Sequence, residues 1–160
     1  MIYVAIAIYA VAMIAANLIV AAFGPWVSPI NAFFLIGLDL ALRDWLHVRL
    51  KSWQMGALIA ATGALTYVLN PAAQHIAIAS AVSFAVAAVA DWLVFVRMPG
   101  TWFQRSASSN VAGALVDSVL FPTLAFGALM PAIVALQFAS KVAGGTLWAW
   151  LLSRAVRNHA

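Results

Sequence analysis

Cysteine is absent from the sequence, which excludes disulfides, thiol nucleophiles and thiolate metal sites and removes any redox clue to compartment. Glutamate is absent too, and charged residues of every kind make up only 8% of the 160 residues. A soluble domain carries roughly a quarter, spread over its exposed faces. In their place stand apolar residues, 66% of the chain, with a mean hydropathy of +1.04. That is more apolar surface than a small soluble core can bury, so the bilayer is the expected solvent. Enzyme motifs are missing as well: there is no HExxH, no Gly-x-Ser, no GxxxxGK[ST] and no dinucleotide fingerprint. No enzymatic activity is expected, no cofactor or metal is called for, and the chain cannot by itself drive transport with ATP.

The fold class expected is therefore all-α: a single membrane-embedded domain over residues 1–160, polytopic, with six transmembrane helices and both termini cytoplasmic. A spanning helix needs about 20 mostly apolar residues. Pro, Gly and charge punctuation cuts the sequence into six such pieces, near 2–23, 29–48, 53–69, 73–96, 107–129 and 131–153. Met1 to Phe23 lacks a basic leader and exceeds the ~7–15-residue core of a signal peptide, so it is expected to remain as a span. Turns are expected at Gly24-Pro25, Asn70-Pro71, Met98-Pro99-Gly100 and Met130-Pro131. Asp39, Arg43 and Asp44 fall inside the second span, which is expected to be short or broken.

Loop charge tests this count independently, because cytoplasmic loops retain Lys and Arg. Arg43, Arg49 and Lys51 cluster after span two, Arg97 and Arg105 flank the connector after span four, and Arg154 and Arg157 follow span six. The other connectors hold none. With six spans every basic residue except Lys141 lies on one side, whereas five spans break the alternation. The net charge of +4 and pI of about 10.1 thus read as topology signals, and nucleic acid is not an expected partner. Trp26, Trp53 and Trp102 near span ends read as belt residues.

Charge inside a membrane costs at least ~2.5–3.5 kcal/mol at the centre of a span, so each such group needs a partner, a wet cavity or a ligand. Asp117 lies mid-span in span five, Lys141 in span six, Asn17 in span one and Asp39 in span two. Residues three, four and seven apart share a helix face. Asn110, Gly113 or Ala114 and Asp117 therefore form one stripe, Gln137 and Lys141 a second, and Asp39 and Arg43 a third. Pro122 and Gly144-Gly145 are expected to interrupt spans five and six beside these groups, a pointer to a midplane site. Structural alternatives stand beside each reading. Asp117 and Lys141 serve equally as a register-fixing ion pair, Asp39 with Arg43 as a helix-end pair, Asn17 and Gln137 as interhelical hydrogen bonders, and Asp91 with Arg97 as a pair snorkelling at the interface. Ser109 with Gly113, and Ser80 and Ser83, fit small-residue packing.

Leu42-Arg43-Asp44 closing span two, Ile76-Ala77-Ile78-Ala79-Ser80 opening span four with Asp91 toward its end, and the block from Ser106 through Asn110 and Asp117 to Phe121 resemble the vitamin-uptake-transporter-like permeases, also called queuosine precursor transporters. Gln137 and Lys141 fit the same pattern. The resemblance covers about four of the six spans. It implies a six-span inner-membrane importer of 7-deazaguanine compounds such as 7-cyano-7-deazaguanine, with polar positions falling on Arg43, Asp44, Ser80, Asp91, Asn110, Asp117 and Lys141. In two respects the sequence departs: it is shorter than typical members, and Val48 stands near the place of an expected acidic residue. The implied partners are a small-molecule nucleobase and the lipid bilayer, with self-association left open. The substrate-binding residues expected are Asp117, Asn110, Lys141, Arg43, Asp44, Asp39, Asp91, Gln137, Asn17 and Ser80, with Phe121 or Trp148 stacking on the ring. The alternatives are a substrate-binding subunit of a multi-component importer and a non-transporting membrane scaffold.

Overall fold

A computed structural model describes residues 2–69 and 71–157. Met1, at the head of the expected first span, and Asn70, in an expected turn, lie outside the described residues. Six helical spans are present, and no strand occurs among the described residues. They are α1 (Ile2–Phe23), a composite α2 (Pro25–His47), α3 (Ser52–Leu69), α4 (Gln74–Arg97), α5 (Trp102–Phe126) and α6 (Pro131–Arg157). Five are long and apolar enough to cross a membrane, and α3 contributes the shorter apolar stretch Trp53–Leu69. Its 18 residues make a helix about 27 Å long at 1.5 Å per residue, close to the ~30 Å hydrocarbon core. The protein is a multi-pass membrane protein.

Span two is full-length, and it is irregular in its first half, ahead of the charged stretch that was expected to shorten or break it. A 3-10 turn, Pro25–Val27, leads into a short α segment, Ser28–Asn31, then a five-residue π segment, Ala32–Ile36, and finally regular helix from Gly37 to His47. Such π segments in helices are rare and concentrate at functional sites. Spans five and six, by contrast, are not interrupted. Pro122 sits inside a continuous α5, and α6 runs unbroken through Gly144 and Gly145. These glycines exist for contact instead. A Cβ on Gly37 would stand 2.6 Å from the Gly144 carbonyl carbon, and one on Gly144 would collide with the Phe33 carbonyl oxygen. The backbones of α2 and α6 therefore touch at the π segment, a crossing that only small residues permit.

α5 begins at Trp102 rather than near 107, because Thr101 forms a capping box with Gln104 and saves orphan backbone donors there. Gly127, in the left-handed region at φ 69°, ends the helix, as a Cβ-free residue readily can. The apolar core gathers Tyr9, Met13, Leu42, Leu46 and Phe84 toward one end of the bundle and Val20, Ile76, Phe121 and Ala125 toward the other. Lipid-facing positions such as Val11, Val68, Ile78 and Val89 are exposed and apolar, as hydrocarbon contact requires. Trp26 and Trp53 are exposed near span ends, while Trp102 is only half exposed with its indole nitrogen enclosed.

Candidate functional site

The polar residues excluded from the lipid face meet inside the bundle, in two layers. The first surrounds Lys141, which is 1% exposed. Its ammonium donates to Asp117 Oδ2 at 2.7 Å, to Gln137 Oε1 at 2.9 Å and to Ser118 Oγ at 3.3 Å. Three donors find three acceptors, so the cation is saturated. Gln137 in turn donates to Ser28 Oγ at 2.8 Å, and Ser28 donates to the Pro25 carbonyl. Asn31 donates to the Ala16 carbonyl at 2.7 Å, which ties the start of α2 to α1. The i,i+4 spacing of Gln137 and Lys141 on α6 puts both on this network, and the irregular start of α2 brings Ser28 and Asn31 to it.

A cavity opens beside this network. It is lined by Ala16, Asn17 and Val20 of α1, Ser28, Asn31, Ala32 and Ile36 of α2, Ser80 and Phe84 of α4, Asp117 and Phe121 of α5, and Gln137 and Lys141 of α6. Five of the six spans contribute, and α3 stands outside. Its volume is about 30 Å³, enough for a water or two. Asp117 keeps 7% of its surface accessible. The Asn17 amide nitrogen is buried with no acceptor, a donor held without a partner. Phe121 and Phe84 supply aromatic surface; Trp148, the other aromatic expected to stack, does not line the cavity.

The second layer lies toward the end where Arg49, Lys51, Arg97, Arg105 and Arg154 cluster. Arg43 Nη2 lies 3.1 Å from Asp91 Oδ1, and its guanidinium sits 5.1 Å from the Phe84 ring centre. Asp44 Oδ2 accepts from Ser106 Oγ and, at 3.4 Å, from Ser109 Oγ. The expectation that Asp91 snorkels with Arg97 is overturned: Asp91 is 3% exposed and faces Arg43, while Arg97 is exposed. Gly113 makes this pairing feasible, since a Cβ there would meet Asp91 and Arg43 at 3.2–3.4 Å. Ser109, expected in small-residue packing, is instead a hydrogen-bond donor. A second cavity, of about 70 Å³, is lined here by Arg43, Asp44, His47, Met55, Ile59, Ala88, Asp91, Trp92 and Phe95.

All ten residues expected at the site are buried, but they do not share one cavity. Asn17, Ser80, Asp117, Gln137 and Lys141 line the first, and Arg43, Asp44 and Asp91 the second. Asp39 and Asn110 line neither. Asn110 lies against Gly145, and neither its amide oxygen nor its nitrogen has a partner. The Asp39–Arg43 pairing expected from their spacing is replaced by Arg43–Asp91, and neither Asp39 oxygen receives a hydrogen bond. Sequence reasoning missed Ser28, Asn31, Ser106 and Ser118. A polar i,i+3 pair just after Gly24-Pro25 was the available signal for the first two; Ser106, one turn before Asn110, and Ser118, one turn after Ala114, extend the stripe of span five.

No curated protein and no solved structure matches the chain at a significant level. The family model described as "Putative vitamin uptake transporter" matches residues 1–155, nearly the whole chain and all the residues of both polar layers, and the protein belongs to this family of membrane transporters.

Proposed function

We propose that the protein imports a 7-deazaguanine precursor of queuosine, such as 7-cyano-7-deazaguanine, across the inner membrane by alternating access. The observation that carries this reading is the cavity between five spans, where an accessible carboxylate, an unpartnered amide donor and aromatic surface converge. A deazaguanine presents a ring N–H and an amino group along one edge, and a carboxylate accepts both in bidentate fashion. Asp117 takes that role, and Asn17 donates to the ring carbonyl. Phe121 stacks on the bicycle. Lys141, saturated by Asp117, Gln137 and Ser118, holds the carboxylate in place. Asn110 is displaced from the donor role that the sequence pattern suggests, because it does not reach this cavity.

A bicyclic ring exceeds the room for a water or two present in this conformation, so binding requires the helices to part. The Arg43–Asp91 contact and the Asp44–Ser106 hydrogen bond join α2 to α4 and α5 at the basic end. Opening toward that end breaks both, which makes them the closing contacts of an inner gate. Two features support movement of α2: its π segment, and its close glycine crossing with α6. The reading is tested in a bacterium that lacks its own importer and precursor synthesis. Expression of this chain restores queuosine to tRNA when 7-cyano-7-deazaguanine is supplied. Well-inserted protein without rescue would reject the substrate, and rescue surviving Asp117→Asn would reject the acceptor role.

A further inference from the structure

All four carboxylates of the chain, Asp39, Asp44, Asp91 and Asp117, are buried, and the buried cations among the described residues are Arg43 and Lys141. Lys141 answers Asp117 and Arg43 answers Asp91. Two carboxylates remain. Asp44 is solvated by the hydroxyls of Ser106 and Ser109. Asp39 has no such substitute: it is 0% exposed, and neither oxygen has a donor. An ionised carboxylate in that position costs several kcal/mol even after relaxation, so the group requires neutralisation by something that binds it.

The charged and titratable groups acting on Asp39 are Arg43 on its own helix, Tyr9 on α1, Asp91 on α4 and Asp117 on α5. Two of these are carboxylates, and the one cation is engaged by Asp91. On α6, Gly144 and Gly145 pack against Gly37 and carry no charge, and Lys141, one turn before them, gives its hydrogen bonds to Asp117, Gln137 and Ser118. Metal cations need several oxygen ligands, and no metal-holding group of acids and histidines occurs among the described residues. A proton needs only one oxygen.

Position adds the second half of the case. Ile36 lines the outer cavity and Arg43 the inner one. Asp39 lies between them on the same helix, about one turn from each, and lines neither. A shift of α2 against α6 exposes its carboxyl to one cavity or the other. We infer that Asp39 is the proton carrier of the transport cycle: its carboxylate takes a proton on the outer side and returns it on the basic side, one proton per substrate, with no other bond made or broken. This rests on the transport reading, and it removes Asp39 from the substrate contacts.

The test uses the purified full chain in liposomes. Infrared spectra at neutral pH are expected to show a protonated-carboxyl band in the wild type that is lost in Asp39→Asn; its persistence in the variant, or its absence from both, overturns the inference, and this readout needs no substrate. Asn is isosteric with the neutral acid, so the melting temperature of Asp39→Asn is expected to stay at or above that of the wild type. A large drop, or failure to fold, would mean that Asp39 works as an ion. In transport, a tenfold inward proton gradient supports up to about tenfold accumulation of 7-cyano-7-deazaguanine at one proton per substrate. Asp39→Asn still exchanges labelled substrate but accumulates none. Accumulation driven by a sodium gradient instead refutes the proton assignment. Absence of exchange even by the wild type refutes the substrate while leaving the infrared result to decide the fate of Asp39.

Discussion

Lys141→Met keeps the length and stem of the side chain while deleting the charge at the centre of the outer network. Three hydrogen bonds go with it, at 2.7, 2.9 and 3.3 Å, and Asp117 is left as a buried anion. Removing one partner of a buried pair costs about 3–5 kcal/mol, mostly the penalty on the charge left behind. Asp117→Asn is expected to cost a similar amount, for it strands a cation that is 1% exposed. The double variant strands neither. Its remaining deficit is the loss of neutral hydrogen bonds, about 1 kcal/mol each, so against singles of about 3–5 kcal/mol each the cycle should show a coupling of about 3 kcal/mol or more. Denaturant unfolding of the four proteins in one detergent measures this directly. Single variants that each lose less than about 1 kcal/mol and add without coupling would refute the claim that the pair is desolvated and mutually dependent. Transport separates the two roles of the pair. The double variant should fold and yet fail to import, because Asp117 no longer accepts from the substrate. Import by the double variant would leave the pair as a register device only.

Gly144→Ala forces a methyl into the Phe33 backbone and should cost about 1–3 kcal/mol in unfolding experiments, as overpacking does. Gly56→Ala, with nothing within 4 Å of the added carbon, serves as the control and should gain up to about 1 kcal/mol of helix stability. Arg43→Met leaves Asp91 without its cation and should lower stability by about 3–5 kcal/mol, with Arg43→Met/Asp91→Asn recovering most of the loss in the same unfolding assay. Thr101→Ala removes the cap of α5 and should cost about 1 kcal/mol with unchanged uptake, since the cap lies away from both cavities.

The number of spans was legible because hydrophobic runs and loop charge are local properties, written in order along the chain. The irregularity of α2 was not placed by its charges, since Asp39, Arg43 and Asp44 lie in regular helix and the π segment stands ahead of them. Within one helix, spacing also told the truth: Gln137 and Lys141 do share a face, and Asn110, Gly113 and Asp117 are all turned inward. Choice of partner between helices was not legible. Arg97 is nearer in sequence to Asp91 than Arg43 is, but the long Arg43 side chain reaches across from α2 and the missing side chain at Gly113 leaves it room, which gives the carboxylate to Arg43. Gly144 and Gly145 were misread for a related reason. In isolation two glycines look like a weak point, whereas against the π segment of α2 they form a contact surface.

Because every carboxylate is buried, the aqueous surface of the described chain has no anionic side chain of its own. Arg49, Lys51, Arg97 and Arg154 remain exposed at the basic end, with Arg105 partly so. Three of these guanidinium groups sit over ring faces, Arg49 on Trp45 at 3.8 Å, Arg105 on Phe95 at 4.3 Å and Arg154 on Trp150 at 3.7 Å. Anionic lipid attracts such residues by about 1 kcal/mol apiece, so phosphatidylglycerol or cardiolipin should gather as an annulus around this one face, and purification in neutral detergent removes a belt of counter-charge that the sequence does not provide for itself.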